Sequence, residues 1–153
     1  MIELAHEPLN PEKVTSKIRR DTNGAVVTFL GTTRNNFQGK QVLTLEYEAY
    51  EEMALKKLGE VRAELQAEFE LEDIAISHRI GTVPIGEISL VVAVASPHRK
   101  LAFEACQQAV DRIKEVVPIW KKEVYEEGSR WVACEDHEFE ETDESATVHT
   151  HGD

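Results

Sequence analysis

The stretch ISLVVAVASPHRKLAFEACQQAVDRIKEVV, residues 88–117, decides the fold of this 153-residue chain. Residues 88–95 form a nearly continuous apolar run, which is typical of a strand buried in the core of a sheet. The dipeptide Ser96-Pro97 then begins a helix over the rest of the stretch, with apolar residues at every fourth position. Pro118 ends this helix, because proline cannot continue its hydrogen-bonded backbone. A core strand that leads directly into a long amphipathic helix predicts helices packed on a sheet.

Strand and helix patterns alternate on both sides of this stretch. Residues 51–69 form the clearest amphipathic helix, since apolar side chains recur there at spacings of three and four. Asn10 followed by Pro11 is typical of a helix start, and Gly24 is expected to stop that shorter helix. Other strands are predicted at residues 2–6, 25–30, 42–50, 74–80, 119–125 and 130–134, with a polar loop at 34–41 and a hairpin turn at 126–129. We therefore predict an α+β fold, in which two long helices pack on one mixed sheet in a single domain.

The composition of the chain changes once, near its end. Residues 135–153 contain eight acidic residues and no Lys or Arg, so they carry most of the formal net charge of −12. A segment with so much charge and so few apolar side chains buries too little surface to fold on its own. We predict a domain at residues 1–134, followed by a disordered acidic tail at residues 135–153.

The bulk composition argues against several classes of function. A net charge of −12 disfavours general nucleic-acid binding, which requires a basic face. The N-terminal segment has no basic stretch followed by an apolar one, and the longest apolar run, residues 90–95, is too short to cross a membrane. The spacing of Cys106 and Cys134 does not demand a disulfide, and Cys106 fits the buried face of a helix. The expected location is the cytoplasm.

Six residues with basic or ionisable side chains stand in short motifs of this acidic chain and indicate an anion site. The motif Ser96-Pro97-His98-Arg99 places two of them at a helix start, where backbone N–H groups are unpaired and the helix dipole is positive. A cation is unfavourable there unless a bound phosphate reverses the penalty. Alternatively, Ser96 caps the helix, and the side chains of His98 and Arg99 point to solvent. The six residues are Arg34, His98, Arg99, Lys114, Lys121 and Lys122.

Each of the other four cations can be interpreted either as a functional residue or as an ordinary surface residue. Arg34 follows a strand and suits bidentate phosphate binding, although an arginine at a strand end is often only solvated. Lys114 lies next to the apolar stripe of its helix, either at the edge of a site or as a surface lysine with a buried stem. Lys121 and Lys122 point to opposite faces of a strand, so at most one of them enters a given pocket. Lys121, next to Trp120, is the candidate for acid–base chemistry.

The distance between two of these cations constrains the assembly. Arg99 and Lys114 lie on one predicted helix, about 22 Å apart along its axis at roughly 1.5 Å per residue. A small ligand does not easily bridge that distance. If both residues serve one site, the simplest arrangement is a dimer whose protomers contribute opposite ends of this helix.

Four motifs that occur in order carry a resemblance to a known family. They are residues 24–35 (GAVVTFLGTTRN), 78–81 (HRIG), 96–99 (SPHR) with 102–105 (AFEA), and 118–123 (PIWKKE). Together they resemble the large, catalytic subunit of molybdopterin synthase over about residues 2–134. One departure concerns the C-terminal part, where this chain has Cys134-Glu135 in place of a basic residue that some relatives carry after the Arg-Trp-Val segment.

The resemblance implies an α/β hammerhead-type fold and a homodimer at the centre of a heterotetramer. Each protomer would bind a small ubiquitin-like subunit, a sulfur carrier whose C-terminal glycine thiocarboxylate reaches into the active site. The substrate would be cyclic pyranopterin monophosphate, which receives two sulfurs to form the dithiolene of molybdopterin. The positions implied to contact substrate are Thr32, Thr33, Arg34, His98, Arg99, Lys114, Lys121, Lys122 and Glu123.

These expectations combine into a mechanism of sulfur transfer. Arg34, His98 and Arg99 are expected to bind the phosphate and to stabilise charge as the cyclic ester opens. Lys114 and Lys121 are expected to be the catalytic pair, which holds the thiocarboxylate and acts as general acid or base. No metal and no other cofactor is expected for this step. The alternative function is a non-catalytic adaptor that binds a ubiquitin-like or acidic peptide tail in a basic groove.

Overall fold

A computed structural model describes residues 1–37, 39–126, 128–132 and 138–141. None of the helices in these ranges is long and apolar enough to cross a membrane. The helices are α1 (Pro11–Ser16), α2 (Glu51–Glu68) and α3 (Arg99–Val116). The strands are β1 (Ile2–Ala5), β2 (Ala25–Thr32), β3 (Asn36–Phe37), β4 (Lys40–Ala49), β5 (Asp73–Arg79), β6 (Gly81–Pro84), β7 (Ile88–Ser96), β8 (Ile119–Tyr125), β9 (Gly128–Val132) and β10 (Glu138–Glu141).

The first sheet is built around the apolar strand β7. Its four strands have the order β1-β5-β7-β2, in which β1 runs parallel to β5 and the other pairs are antiparallel. All residues of β7 after Ile88 are buried, which confirms the core strand predicted from its apolar run. Alternate side chains of β7 enter two hydrophobic clusters, one shared with α2 and α3 and the other shared with α1 and its flanking residues. Helices therefore cover both faces of this sheet.

A second sheet is antiparallel and has the strand order β10-β9-β8-β4-β3, with β6 also paired to β4. The expectation of one sheet is therefore wrong: the described residues form a mixed α+β domain with two sheets and three helices. The periodicity of a segment identifies a strand but not the partner with which that strand pairs. The predicted hairpin is confirmed, since β8 pairs with β9, but β8 also pairs with β4 rather than with the first sheet.

Two short strands within residues 1–134 escape prediction because they are too short to show a periodicity. The expected polar loop at residues 34–41 contains β3, which pairs with the first two residues of β4 in a tight hairpin. Gly39 in this turn has a φ of +80°, a backbone conformation that favours glycine, whereas Gln38 lies outside the described residues. β6 has only four residues, all paired with β4.

The start of α1 follows from a capping interaction that the sequence predicts. The side-chain oxygen of Asn10 accepts a hydrogen bond from the backbone N–H of Lys13 at 3.2 Å, and Pro11 is the first helical residue. The helix ends at Ser16 rather than near Gly24. The short α1 packs on the first sheet on the side away from α2 and α3.

The start of α3 differs by a few residues from the prediction. Ser96 is the last residue of β7, and its hydroxyl oxygen accepts a hydrogen bond from the backbone N–H of His98 at 3.2 Å. His98 is the N-cap residue, and the helix begins at Arg99. The serine therefore supports the turn that leads into the helix instead of capping the helix itself.

The predicted boundary between a domain at residues 1–134 and a disordered tail at 135–153 stays a prediction. Residues 133–137 and 142–153 lie outside the described ranges. Between them, β10 pairs antiparallel with β9 through a register irregularity.

Gly24 is in close contact with the loop that precedes α3. A Cβ atom at this position would lie 2.3 Å from the carbonyl oxygen of Pro97, which belongs to the backbone and has little freedom to move. The next residue, Ala25, begins β2 and pairs with Ser96 at the end of β7. The contact therefore holds the connection between β7 and α3 against the sheet, and only glycine fits there.

Gly24→Ala should reduce the free energy of unfolding by about 1–3 kcal/mol, the usual effect of forcing extra atoms into a packed region. Gly59→Ala is the matched control, because a Cβ at this position in α2 would meet no heavy atom within 4 Å. The control should be neutral or more stable by up to about 1 kcal/mol, since alanine has the higher helix propensity. Urea unfolding measures both variants, and equal stabilities would contradict the contact with Pro97.

Candidate active site

A cavity of about 380 Å³ is lined by residues from both sheets and from the last turn of α3. This volume suits a small molecule, and the mixture of apolar walls with a few polar groups is typical of ligand sites. The apolar walls are formed mainly by Phe29, Leu45, Tyr47, Leu90, Ile113 and Ile119. The polar and charged groups of the lining are Thr32, Arg34, His78, Ser89, Lys114, Lys121 and Glu123.

Arg34 reaches the cavity because the preceding residue is firmly held. Thr33 is buried, and its hydroxyl donates to the backbone carbonyl oxygens of Pro84 at 2.7 Å and Glu87 at 3.3 Å. Its backbone N–H also donates to the Glu87 carbonyl at 3.1 Å. Thr32 lines the cavity at the end of β2, whereas Thr33 is not part of the lining. Thr33 fixes the chain from which Arg34 extends, and its contact with substrate stays a prediction.

Lys114 lies in the last turn of α3, directly after Ile113 of the buried stripe. Its side chain is partly buried and forms part of the cavity wall. This placement favours the first of the two interpretations given by the sequence, a lysine at the edge of a site. The positive charge is also compatible with the negative end of the helix dipole.

The alternation of β8 separates its two lysines. Lys121 and Glu123 line the cavity, whereas Lys122 lies on the other face, with its Nζ 3.7 Å from Glu46 and 5.7 Å from the centre of the Trp131 ring. Trp120 is also absent from the cavity lining, and 44% of its surface is exposed. Trp120 precedes Lys121 in the chain but does not line the cavity with it; within the cavity, Ile119 and Glu123 are the neighbours of Lys121 along the strand.

Glu123 is held by a buried network on β8 and β9. One oxygen of its carboxylate accepts hydrogen bonds from the guanidinium of Arg130 at 2.9 Å and from the hydroxyl of Tyr125 at 2.6 Å. Arg130 and Glu123 are 1% and 4% exposed, so this ion pair is almost completely removed from water. Arg130 also contacts the Tyr125 hydroxyl and lies over the Tyr125 ring. The network fixes the position of the one carboxylate among the described residues that line the cavity.

His78, which lies in a predicted strand and is not among the predicted contact residues, also lines the cavity. Its ring is buried, and Nδ1 forms a hydrogen bond of 2.8 Å to the backbone carbonyl oxygen of Arg79. Burial lowers the pKa of the imidazole to about 4, the hydrogen bond to Arg79 opposes this change, and the charge of Lys114 adds to it. The imidazole is therefore neutral at pH 7. A histidine within an apolar strand gives no sequence signal that separates such a position from an ordinary core residue.

His98 and Arg99 lie at the opposite end of α3 from the cavity. Both side chains are exposed, and neither belongs to the cavity lining. Arg99 and Lys114 lie on one helix that is unbroken from Arg99 to Val116, so the predicted separation of about 22 Å applies. Of the nine predicted contact residues, the structure thus brings together Thr32, Arg34, Lys114, Lys121 and Glu123, and it leaves Thr33, His98, Arg99 and Lys122 outside the cavity.

Cys106 agrees with its prediction as a small buried residue. It is 5% exposed on the inner face of α3, and its thiol contacts the carbonyl oxygen of Val92 at 3.9 Å. Burial raises the pKa of the Cys106 thiol to about 11, although a backbone hydrogen bond at Phe29 opposes the shift. Cys134 lies outside the described residues, and within them no group of three or more His, Cys, Asp or Glu side chains is arranged to hold a metal ion.

Comparison with known proteins connects this site to a family. The family model described as MoaE protein matches residues 4–116. A molybdopterin synthase catalytic subunit of Bacillus subtilis is 47% identical over 130 residues, which cover 85% of this chain and 83% of the relative. The corresponding subunit of Homo sapiens is 43% identical over 131 residues, which cover 86% of this chain and 70% of the relative.

Solved structures agree in fold. Molybdopterin synthase from Staphylococcus aureus superposes with a TM-score of 0.82 and 43% identity, over 84% of this chain and 94% of the other. The MoaE protein from Burkholderia ambifaria has a TM-score of 0.75 and 30% identity, over 95% and 93% of the two chains. A complex of subunits 1 and 2 of the molybdopterin-converting factor from Helicobacter pylori, at 19% identity and a TM-score of 0.66, shares the fold. The chain belongs to the MoaE protein family, the family that includes these molybdopterin synthase catalytic subunits.

Proposed function

We propose that the chain is the catalytic subunit of a molybdopterin synthase and acts as a sulfurtransferase in molybdenum cofactor biosynthesis. It would transfer sulfur from the C-terminal thiocarboxylate of a small ubiquitin-like subunit to cyclic pyranopterin monophosphate, in the cytoplasm. The observation that carries the proposal is the convergence of Arg34, Lys114 and Lys121 on one cavity of a strongly acidic chain. The α/β hammerhead-type arrangement implied by the family resemblance belongs to the same proposal.

Both reactants are anions, and the cavity suits both. A guanidinium at the cavity edge can bind a phosphate through two parallel hydrogen bonds, which is the role of Arg34. The ammonium groups of Lys114 and Lys121 would hold the thiocarboxylate while its sulfur bonds to a side-chain carbon of the pterin and the carbon–oxygen bond of the cyclic phosphate ester breaks. Because this sulfur arrives as part of an acyl group, water must then cleave the acyl–sulfur bond and leave a carboxylate on the partner. A lysine that donates a proton as the phosphate ester opens is left neutral, and it can then accept a proton from the attacking water.

The ion pair of Glu123 with Arg130 supports this assignment of roles. A carboxylate so close to the lysines would otherwise offset the attraction of the cavity for anions. Arg130 and Tyr125 take up one of its oxygens, so Glu123 can orient Lys121 without dominating the electrostatics of the cavity. An adaptor for an acidic tail would need cations along an open groove, whereas here they meet partly apolar walls that can exclude water from a reaction.

A second protomer completes the proposed site. His98 and Arg99 are exposed at the far end of α3, and no small ligand spans a helix of this length. In a homodimer, the start of α3 from one protomer would approach the cavity of the other and add its cations and unpaired N–H groups to the phosphate site. Two such protomers, each with its sulfur carrier, would make a heterotetramer.

Arg34→Ala should weaken binding of cyclic pyranopterin monophosphate by about tenfold or more, because it removes charge-assisted hydrogen bonds to the phosphate. Arg99→Ala should have an effect of the same size. Arg19→Ala is the control, since it removes an exposed positive charge that lies beside α1 and away from the cavity. Calorimetric titration at fixed ionic strength measures all three. If Arg34→Ala and Arg99→Ala bind as tightly as the control, the phosphate site is refuted.

Turnover tests the function itself. The purified chain, mixed with a thiocarboxylated sulfur carrier, should convert cyclic pyranopterin monophosphate, and Lys121→Ala should reduce the rate by about a hundredfold or more through loss of an acid–base group. Lys122→Ala is the matched control on the neighbouring position, and it should stay within about threefold of the wild type because it faces Glu46 rather than the cavity. Equal losses in the two variants would contradict the assignment of faces. An inactive wild type would refute the proposed function.

A mixture of inactive variants tests the shared site. Arg99→Ala and Lys114→Ala should each be inactive as homodimers, and activity should return after the two proteins exchange subunits. In each mixed dimer one site contains both intact residues and the other contains both defects, so at most about half of the sites recover. If the mixture stays inactive after mass spectrometry has shown exchange, each site is built within one chain.

A further inference from the structure

His78 is held in a single orientation and a single tautomer. Its Nδ1 lies 2.8 Å from the carbonyl oxygen of Arg79, and because a carbonyl oxygen only accepts, Nδ1 must carry the hydrogen. The Tyr47 ring packs edge-on against the imidazole, with centroids 5.0 Å apart and planes at 70°. In a neutral imidazole the other nitrogen, Nε2, then carries a lone pair and can only accept a hydrogen bond.

The free lone pair faces the cavity. Nδ1 is turned back toward the backbone of its own strand, so Nε2 occupies the distal end of a ring that lines the cavity. The hydrogen bond to Arg79 is the one that the His78 ring makes among the described residues. The lining cations Arg34, Lys114 and Lys121 only donate, and Glu123 is engaged by Arg130 and Tyr125. His78 thus adds an uncharged acceptor to a group of donors.

We propose that His78 is a substrate-contacting residue, whose Nε2 accepts a hydrogen bond from a neutral N–H or O–H group of the pterin, beside the cations that bind the anionic groups. The inference rests on the proposed function and specifies what its cavity recognises: an anion with an uncharged donor next to it. A phosphate or carboxylate without such a donor would leave the lone pair unmatched, which disfavours simple anions as ligands.

The burial of His78 makes this acceptor independent of pH in the range where the enzyme works. Burial, opposed by the hydrogen bond to Arg79 and assisted by the charge of Lys114, lowers the pKa of the imidazole to about 4. The ring therefore stays neutral, and Nε2 stays an acceptor, at every pH well above 4. A solvent-exposed histidine would gain a proton near pH 6.5 and become a donor that repels the neighbouring cations.

Amide substitutions of His78 distinguish the roles of the two ring nitrogens, because each amide side chain reproduces only one of them. Asparagine can reproduce the donor at Nδ1, while glutamine can place its oxygen near Nε2. We expect His78→Gln to keep the KM for cyclic pyranopterin monophosphate within about threefold of the wild type, and His78→Asn and His78→Phe to raise it by about tenfold or more. Thermal stability should follow the opposite order, with His78→Asn closer to the wild type than His78→Gln, because only asparagine replaces the hydrogen bond to Arg79.

The outcomes separate this inference from the proposed function. If KM follows the same order as stability, or if no variant changes KM, His78 is a structural residue only and the inference fails while the function stands. If the wild type neither binds nor converts the pterin, the proposed function fails, and the inference fails with it because it names the wrong ligand.

A spectroscopic measurement on the wild type covers the case in which the variants do not fold. In protein labelled with ¹⁵N-histidine, the Nε2 resonance of His78 should lie in the range of an unprotonated imidazole nitrogen. It should move upfield when cyclic pyranopterin monophosphate is added without the sulfur carrier, and stay in place when sulfate, an anion without an O–H group, is added. A resonance that does not respond to the bound pterin, or that responds equally to sulfate, overturns the inference.

Discussion

The packing of α3 across β7 and β2 is the interaction on which the rest of the structure depends. Three alanines, Ala102, Ala105 and Ala109, are fully buried on the inner face of the helix. Such small side chains allow the helix axis to approach the sheet closely. The contact between Gly24 and Pro97 fixes where the helix starts, and Pro118 fixes where it ends. The position of Lys114 at the cavity, and of Arg99 far from it, follows from this one placement.

The charge of the cavity contrasts with that of the whole chain. The protein has a formal net charge of −12, yet the cavity lining carries Arg34, Lys114 and Lys121. A buried ion pair of Glu123 and Arg130 contributes little to stability, because removing both charges from water offsets most of their attraction. Its effect here is geometric: it holds a carboxylate in place at the cavity wall while a guanidinium balances its charge.

The sequence predicts those features that depend on long, regular patterns. The continuous apolar run of β7 and the four-residue spacing of α3 identify both elements, and the cation motifs identify Arg34, Lys114 and Lys121. Pairing between strands depends on contacts distant in sequence, so the division into two sheets could not be read from periodicity. The role of His78 has no sequence signal for a related reason. It depends on which neighbouring elements cover the side chain, and no local pattern records that.

The burial of Cys106 has a consequence for the sulfur transfer that we propose. A thiol reacts through its thiolate form, and burial in α3 keeps this thiol protonated and out of reach of the cavity. In the proposed reaction, Cys106 therefore does not attack the carbonyl carbon of the thiocarboxylate, a step that would form a thioester and release hydrogen sulfide. The same burial protects this side chain from peroxide and from alkylating reagents. The fold thus prevents side reactions of this thiol by burying it.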